Sequence, residues 1–116
     1  MKKCKLSAYY KAVHKDGLII WYEKQSDEIV CTVSLTEERG QTWIGSLYIA
    51  FPYRHTGLCK ELLDYATFNG GDHLSARKSS RAAKIYQTYG FKIYDEDSEY
   101  FYMTINQTVE NANEIN

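Results

Sequence analysis

Residues 52–66 read PYRHTGLCKELLDYA, and that stretch decides how the chain divides. Its first half carries the single proline, Pro52, followed by Arg54 and Gly57. In its second half Leu58, Leu62, Leu63 and Ala66 recur at helical spacing, with Lys60, Glu61 and Asp64 on the other side. Two readings compete for the junction. It is ordinary strand-to-helix punctuation, or it is a backbone cradle for a phosphate. A helix start exposes unpaired N–H groups and a positive dipole end, and glycine lets the backbone approach an anion. No G-K-[ST] follows, so this is not a Walker loop, and the three-glycine dinucleotide spacing is missing.

Upstream, the chain is rich in strand formers. Residues 5–13 alternate Leu6, Ala8 and Tyr10 with polar neighbours, which predicts a strand. Residues 14–17 read as a turn. Residues 18–25 and 28–35 are β-branched and aromatic runs joined by Ser26-Asp27, a hairpin pattern. A second turn over 37–41 leads into a third strand of the same sheet over 42–51. Downstream, Asn69-Gly70-Gly71 ends the helix, because glycine accepts a left-handed cap. Residues 73–77 suit a short buried strand. Residues 79–90 suit a second helix with a serine as N-cap and Gly90 as its stop. Two more strands, 91–94 and 100–105, flank an acidic turn. This order predicts an α+β fold. Its sheet is mixed: mostly antiparallel, with one parallel pair bridged by a right-handed crossover, and two main helices.

The 116 residues suit one globular domain, placed over 1–106, with a polar, frayed tail over 107–116. Fourteen basic and fifteen acidic residues give a net charge of −1. Such balance argues against nucleic acid and membrane surfaces as partners; a stacking platform for single strands needs a basic groove. No run approaches the length of a membrane span, and the basic N-terminus lacks a signal peptide's apolar core. Cys4, Cys31 and Cys59 have no metal-ligand spacing, which predicts free thiols, a cytoplasmic setting and no metal.

Two stretches taken together say more. Residues 46–66, SLYIAFPYRHTGLCKELLDYA, precede residues 79–94, SSRAAKIYQTYGFKIY. The pair resembles the GNAT superfamily of acetyl-CoA-dependent N-acyltransferases. There a strand of the type L-x-V leads into P-x-x-R-x-x-G-x-G/A, and a later helix carries N-x-x-A-x-x-L-Y-x-x-x-G-F. Leu47, Tyr48 and Ile49 match the strand, Arg54 and Gly57 the loop, Leu62–Ala66 the helix after it, and Ala82, Ile85, Tyr86, Gly90 and Phe91 the second motif. The likeness covers residues 45–105. It departs from the pattern at Cys59, which replaces a Gly/Ala, at Pro52, one position late, and at Ser79, which stands for an asparagine. The helices that usually follow the family's first strand and shape the acceptor site have no room in this sequence.

The resemblance implies an N-acetyltransferase moving acetyl from acetyl-CoA to a primary amine by direct attack. Arg54, His55, Thr56, Gly57, Leu58 and Cys59 would hold the CoA diphosphate. Backbone groups near Ile49 and Ala50 would pair with the pantetheine arm, in a splay of the parallel pair. Ser79 would contact the cofactor, and Tyr86 would protonate the departing thiolate. The acceptor would be an amine-bearing small molecule or a protein, and the chain a monomer or homodimer. The alternative is a GNAT-like domain that is catalytically weak or inactive and serves as a regulatory, inhibitory binding module.

Several residues carry a bland reading beside the sharp one. Tyr86 also fits a helix's core stripe, Cys59 a small packing position rather than a reactive thiol, and His55 an exposed loop. Arg77, Lys78, Arg81 and Lys84 are a solvated face or a contact for the 3′-phosphate of CoA. Asp95, Glu96, Asp97 and Glu99 are a solvated turn or an attractor for a cationic acceptor. Glu23, Glu37 and Glu38 are the carboxylates nearest by strand order for a general base, with a water chain as the alternative.

Overall fold

Asp16 and Gly17, at φ of 52° and 82°, reverse the chain within two residues. They join β1 (Lys11–Lys15) to β2 (Leu18–Tyr22), with Lys15 paired to Leu18. Arg39 and Gly40 do the same, at 54° and 79°, between β3 (Ile29–Glu38) and β4 (Gln41–Ile49). Positive φ at both central residues gives a turn whose twist matches the flanking strands. This computed structural model describes residues 6–105. It divides into two compact units, Met1–Gly71 and Asp72–Asn116. The tail expected over 107–116 lies outside the described residues.

In the first unit β1 to β4 form an antiparallel meander. The cross-strand pairs Ile19–Val33 and Trp21–Cys31 put four buried side chains on one face. The helix α2 (Leu58–Phe68) covers that face with Leu62, Leu63 and Ala66, and Tyr65 meets Trp21 edge to face at 4.9 Å. The strand expected over 5–13 is corrected. Leu6–Tyr9 is instead one helical turn, α1, and extended pairing starts only at Lys11. Leu6 is fully buried, and its carbonyl accepts the Tyr10 amide at 3.0 Å, an i to i−4 bond that winds the segment around its anchor.

Helix α2 ends where the glycines stand. Gly70 takes φ of 95°, and the Gly71 amide donates to the Ala66 carbonyl at 2.8 Å. A Cβ at Gly71 would lie 2.6 Å from Ile44 Cγ1 and 2.9 Å from the Ala66 carbonyl, so only glycine fits there.

The second unit holds β5 (His73–Arg77), α3 (Ala82–Tyr89), β6 (Lys92–Glu96) and β7 (Tyr100–Thr104). Its strands run β5-β7-β6, both pairs antiparallel, and Met103 of β7 lies between Leu74 and Ile93. Leu74, Ala76, Ala83, Phe91 and Met103 form its core. Helix α3 begins three residues later than the sequence suggests. Ser80 turns back on Arg77, its hydroxyl donating to the Arg77 carbonyl at 3.0 Å and accepting the Ala82 amide at 3.2 Å. The expected serine cap is corrected: the N-cap is Arg81, with no side-chain cap hydrogen bond, and Ser80 stands one residue ahead of it. Among the described residues no helix is long and apolar enough to cross a membrane.

Candidate functional site

The geometry of the β4 end comes from one extra residue. Ser34 pairs with Gly45 and Thr32 with Tyr48, so β4 advances three residues while β3 advances two. Ser46 absorbs the surplus at φ of 49°, and the Thr32 hydroxyl clamps the Ser46 carbonyl at 2.7 Å. A bulge shifts the phase of alternation. Ile44 and Ile49 are an odd number apart, yet both stand on the core face, opposite Leu35 and Cys31. Nothing in the local sequence signals this. Serine is not a left-handed residue by preference, and neighbouring Gly45 serves close approach instead, since a Cβ there would lie 2.9 Å from Ser34 Oγ.

After the strand, Phe51–Tyr53 form a single 3-10 turn with Pro52 in its first positions. The loop then passes through His55 at φ of 63° and Gly57 at φ of 87°, directly before α2. The Thr56 hydroxyl donates to the Tyr53 carbonyl and tightens the bend. Among the described residues, the amides of His55, Thr56, Gly57, Leu58 and Cys59 have no hydrogen-bond acceptor. Arg54 through Gly57 are exposed; Leu58 and Cys59 are part-buried. Five consecutive unspent donors at a helix start, two of the residues in left-handed conformation, are the kind of backbone that can receive an anion.

Ile49 and Ala50 are already engaged. The Ala50 amide donates to Val30 at 2.8 Å, and its carbonyl accepts the Tyr53 amide at 2.9 Å. Alternation along the ladder therefore turns the Ile49 peptide groups away from β3. The Ile49 carbonyl receives the Arg54 Nε–H at 2.8 Å. Burial raises the Cys59 thiol above its ordinary pKa, which keeps it protonated at neutral pH and favours the packing role over the reactive one.

In the second unit Tyr86 is part-buried on α3, edge-on to Phe91 at 6.4 Å, while Ser79 is exposed in the turn before the helix. The basic and acidic clusters largely answer each other. Lys78 is ion-paired with Glu96, and Arg77 donates to the Tyr100 hydroxyl at 2.9 Å with Glu99 3.7 Å away. Asp97 organises the acidic turn rather than standing open. It accepts the Tyr102 hydroxyl at 2.6 Å and the amides of Glu99 and Tyr100 at 2.8 and 2.7 Å.

These donors favour the ionised carboxylate, the Tyr102 hydroxyl foremost, and hold the Asp97 pKa below its usual range. A lowered carboxylate pKa gives stabilisation that is complete above the unfolded value of about 3.9 and is lost as pH falls through the folded one. Acid titration followed by NMR should therefore show the Glu99 and Tyr100 amides holding their shifts below pH ~4. A midpoint at or above the ordinary carboxylate value would contradict the assignment.

Topology separates the base candidates. Glu37 and Glu38 pair with Thr42 and Gln41, at the opposite end of β4 from Ile49, roughly 23 Å away at ~3.3 Å per residue. Glu23 directly follows β2 at the end where Cys31 meets Ile49, and its amide donates to Glu28 at 2.8 Å. Among the described residues, no group of three His, Cys, Asp or Glu is placed to hold a metal.

The sequence profile of the acetyltransferase (GNAT) domain matches residues 2–103. The chain belongs to this family. Solved structures share the GNAT domain's fold. PaiA N-acetyltransferase from Thermoplasma acidophilum, solved in complex with coenzyme A, superposes with a TM-score of 0.61 at 20% identity, over 74% of this chain and 57% of that one. The IAA acetyltransferase from Bacillus cereus gives 0.60 at 18% identity, over 75% and 76%. Escherichia coli ElaA gives 0.57 at 18%, over 74% and 65%. This GNAT domain thus spans less than two thirds of ElaA and of PaiA. No curated protein sequence matches it. At these identities the likeness speaks for the α+β fold.

Proposed function

We propose that this GNAT domain transfers an acetyl group from acetyl-CoA to a primary amine. The observation that carries the reading is the run of unspent amides from His55 to Cys59, beside Arg54 and opened by the left-handed Gly57. Those donors fit a diphosphate. Ile49 and Ala50 would border the pantetheine arm, and Ser79 would add a polar contact. The amine nitrogen attacks the thioester carbonyl, the carbon–sulfur bond breaks, and the Tyr86 hydroxyl protonates the departing thiolate. The surplus ammonium proton leaves to water or to Glu23. The acceptor is a small amine or a protein amine, and Cys31 and Cys59, which form no disulfide among the described residues, suit a reducing, cytoplasmic setting.

A second reading has its own observation. Two residues, Asp16 and Gly17, join β1 to β2, so no helix stands between them to shape an acceptor site. On that reading the domain binds CoA or a protein partner without turnover. Calorimetric titration with CoA, followed by acetyl-CoA turnover against a panel of amines and peptides, separates the two. Binding together with transfer to any acceptor supports the enzyme. Binding without transfer supports the regulatory module. Absence of CoA binding removes the first reading.

A further inference from the structure

The side chain of Arg54 does not hang free beside the loop. Its Nε–H is spent on the Ile49 carbonyl at 2.8 Å. Its guanidinium lies 5.7 Å from the centroid of the Phe51 ring and 5.9 Å from that of Tyr48. Those rings are 79% and 48% exposed, so core packing does not hold them, and the guanidinium stands within cation–π range of both. The Arg54 amide also closes the 3-10 turn by donating to Phe51 at 3.2 Å. One residue thus ties the last peptide of β4, the turn after it and the first residue of the anion-receptive loop. Among the described residues its two terminal nitrogens have no acceptor.

We propose that Arg54 is a positioning residue. Through the Nε–H bond to Ile49 it fixes the angle at which the loop 55–59 leaves β4, and this hydrogen bond, rather than the positive charge, carries that role. The inference rests on the CoA reading only for what the loop binds; the positioning itself concerns this chain alone. It also explains how His55 and Gly57, both at positive φ, stay in one arrangement on an exposed loop. Gly57 takes a left-handed backbone at no steric cost, but at His55 it persists only where surrounding contacts over-determine it, and the bonds from Arg54 and Thr56 flank that residue.

Side-chain chemistry supplies the test. In glutamine the amide nitrogen is attached to the same carbon position as Nε in arginine, so Arg54→Gln keeps the donor and removes the charge. Arg54→Lys keeps the charge but carries its donor one bond further out and loses the planar group that faces the rings. Arg54→Ala removes everything. The first readout is hydrogen exchange of the Ala50 and Tyr53 amides in the absence of any ligand; the second is CoA affinity by calorimetry.

Exchange should quicken about 10-fold or more in Arg54→Ala and Arg54→Lys, and stay within about 3-fold of the parent in Arg54→Gln. CoA affinity should fall about 10-fold in the alanine and lysine variants, with Arg54→Gln weakened less than either. The reverse order, lysine preserving and glutamine losing, overturns the proposal, as does unchanged exchange in Arg54→Ala. If the parent protein binds no CoA, the CoA reading fails, while ligand-free exchange still decides the role of Arg54.

Discussion

Tyr86→Phe is expected to slow acetyl transfer by about 100- to 10,000-fold while CoA affinity stays nearly unchanged, because a positioned general acid is worth about that much. The substitution removes one oxygen and keeps the ring. The edge contact with Phe91 at 6.4 Å therefore survives, as do the bonds from the amides of Gly90 and Phe91 to the residue 86 carbonyl, at 3.0 and 2.9 Å. Those bonds end α3 and are backbone in origin, so the helix end should persist in the variant. Steady-state rates, CoA titration and a thermal scan on the same preparation separate chemistry from folding. A loss of stability matching the loss of rate would make Tyr86 a packing residue, the bland alternative. Full turnover would remove it from the reaction.

Trp21→Ala is expected to cost about 3–5 kcal/mol of folding stability, the range for deleting a large buried aromatic. Trp21 has no exposed surface, stands opposite Cys31 in the sheet and meets Tyr65 of α2 at 4.9 Å. Removing it opens a cavity between the meander and its helix. Trp21→Phe should cost far less. It keeps a ring against Tyr65, and it deletes an indole N–H that is buried without a hydrogen-bond partner among the described residues. An unsatisfied buried donor costs about 1–3 kcal/mol, which offsets part of the lost volume. Urea denaturation gives both values. Equal costs for the two substitutions would show that the ring kept by phenylalanine does not restore the packing against Tyr65.

The chemistry legible in the sequence is of one kind. Helix α2 was readable because Leu58, Leu62, Leu63 and Ala66 repeat at the helix period, and its end because Gly70 needs positive φ. Strand β5 emerged with its bounds intact, as a short apolar run between turn signals. The loop was legible through Arg54 and Gly57, and more so beside Tyr86, Gly90 and Phe91. The first segment was misread because alternation over Leu6, Ala8 and Tyr10 looks like a strand. Burial of Leu6 instead selects a helical turn. Arg77 and Lys78 looked like an open basic patch, since their partners Glu99 and Glu96 lie far along the chain.

What the sequence determined by itself, then, is the set and order of the elements after the first segment, the glycine turn that opens α2 and membership in the GNAT family. Each depends on interactions within a few residues: helical period, glycine φ, an unpaired helix start. Only the tertiary structure decided that β4 bulges at Ser46, that Arg54 spends its Nε–H on Ile49, and that Asp97 gathers Tyr102 and two amides. It also decided which carboxylate shares an end of the sheet with the loop. A register shift, a shared carbonyl or an ion pair across two strands depends on which residues meet once the chain has folded. Spacing along the chain carries little record of that.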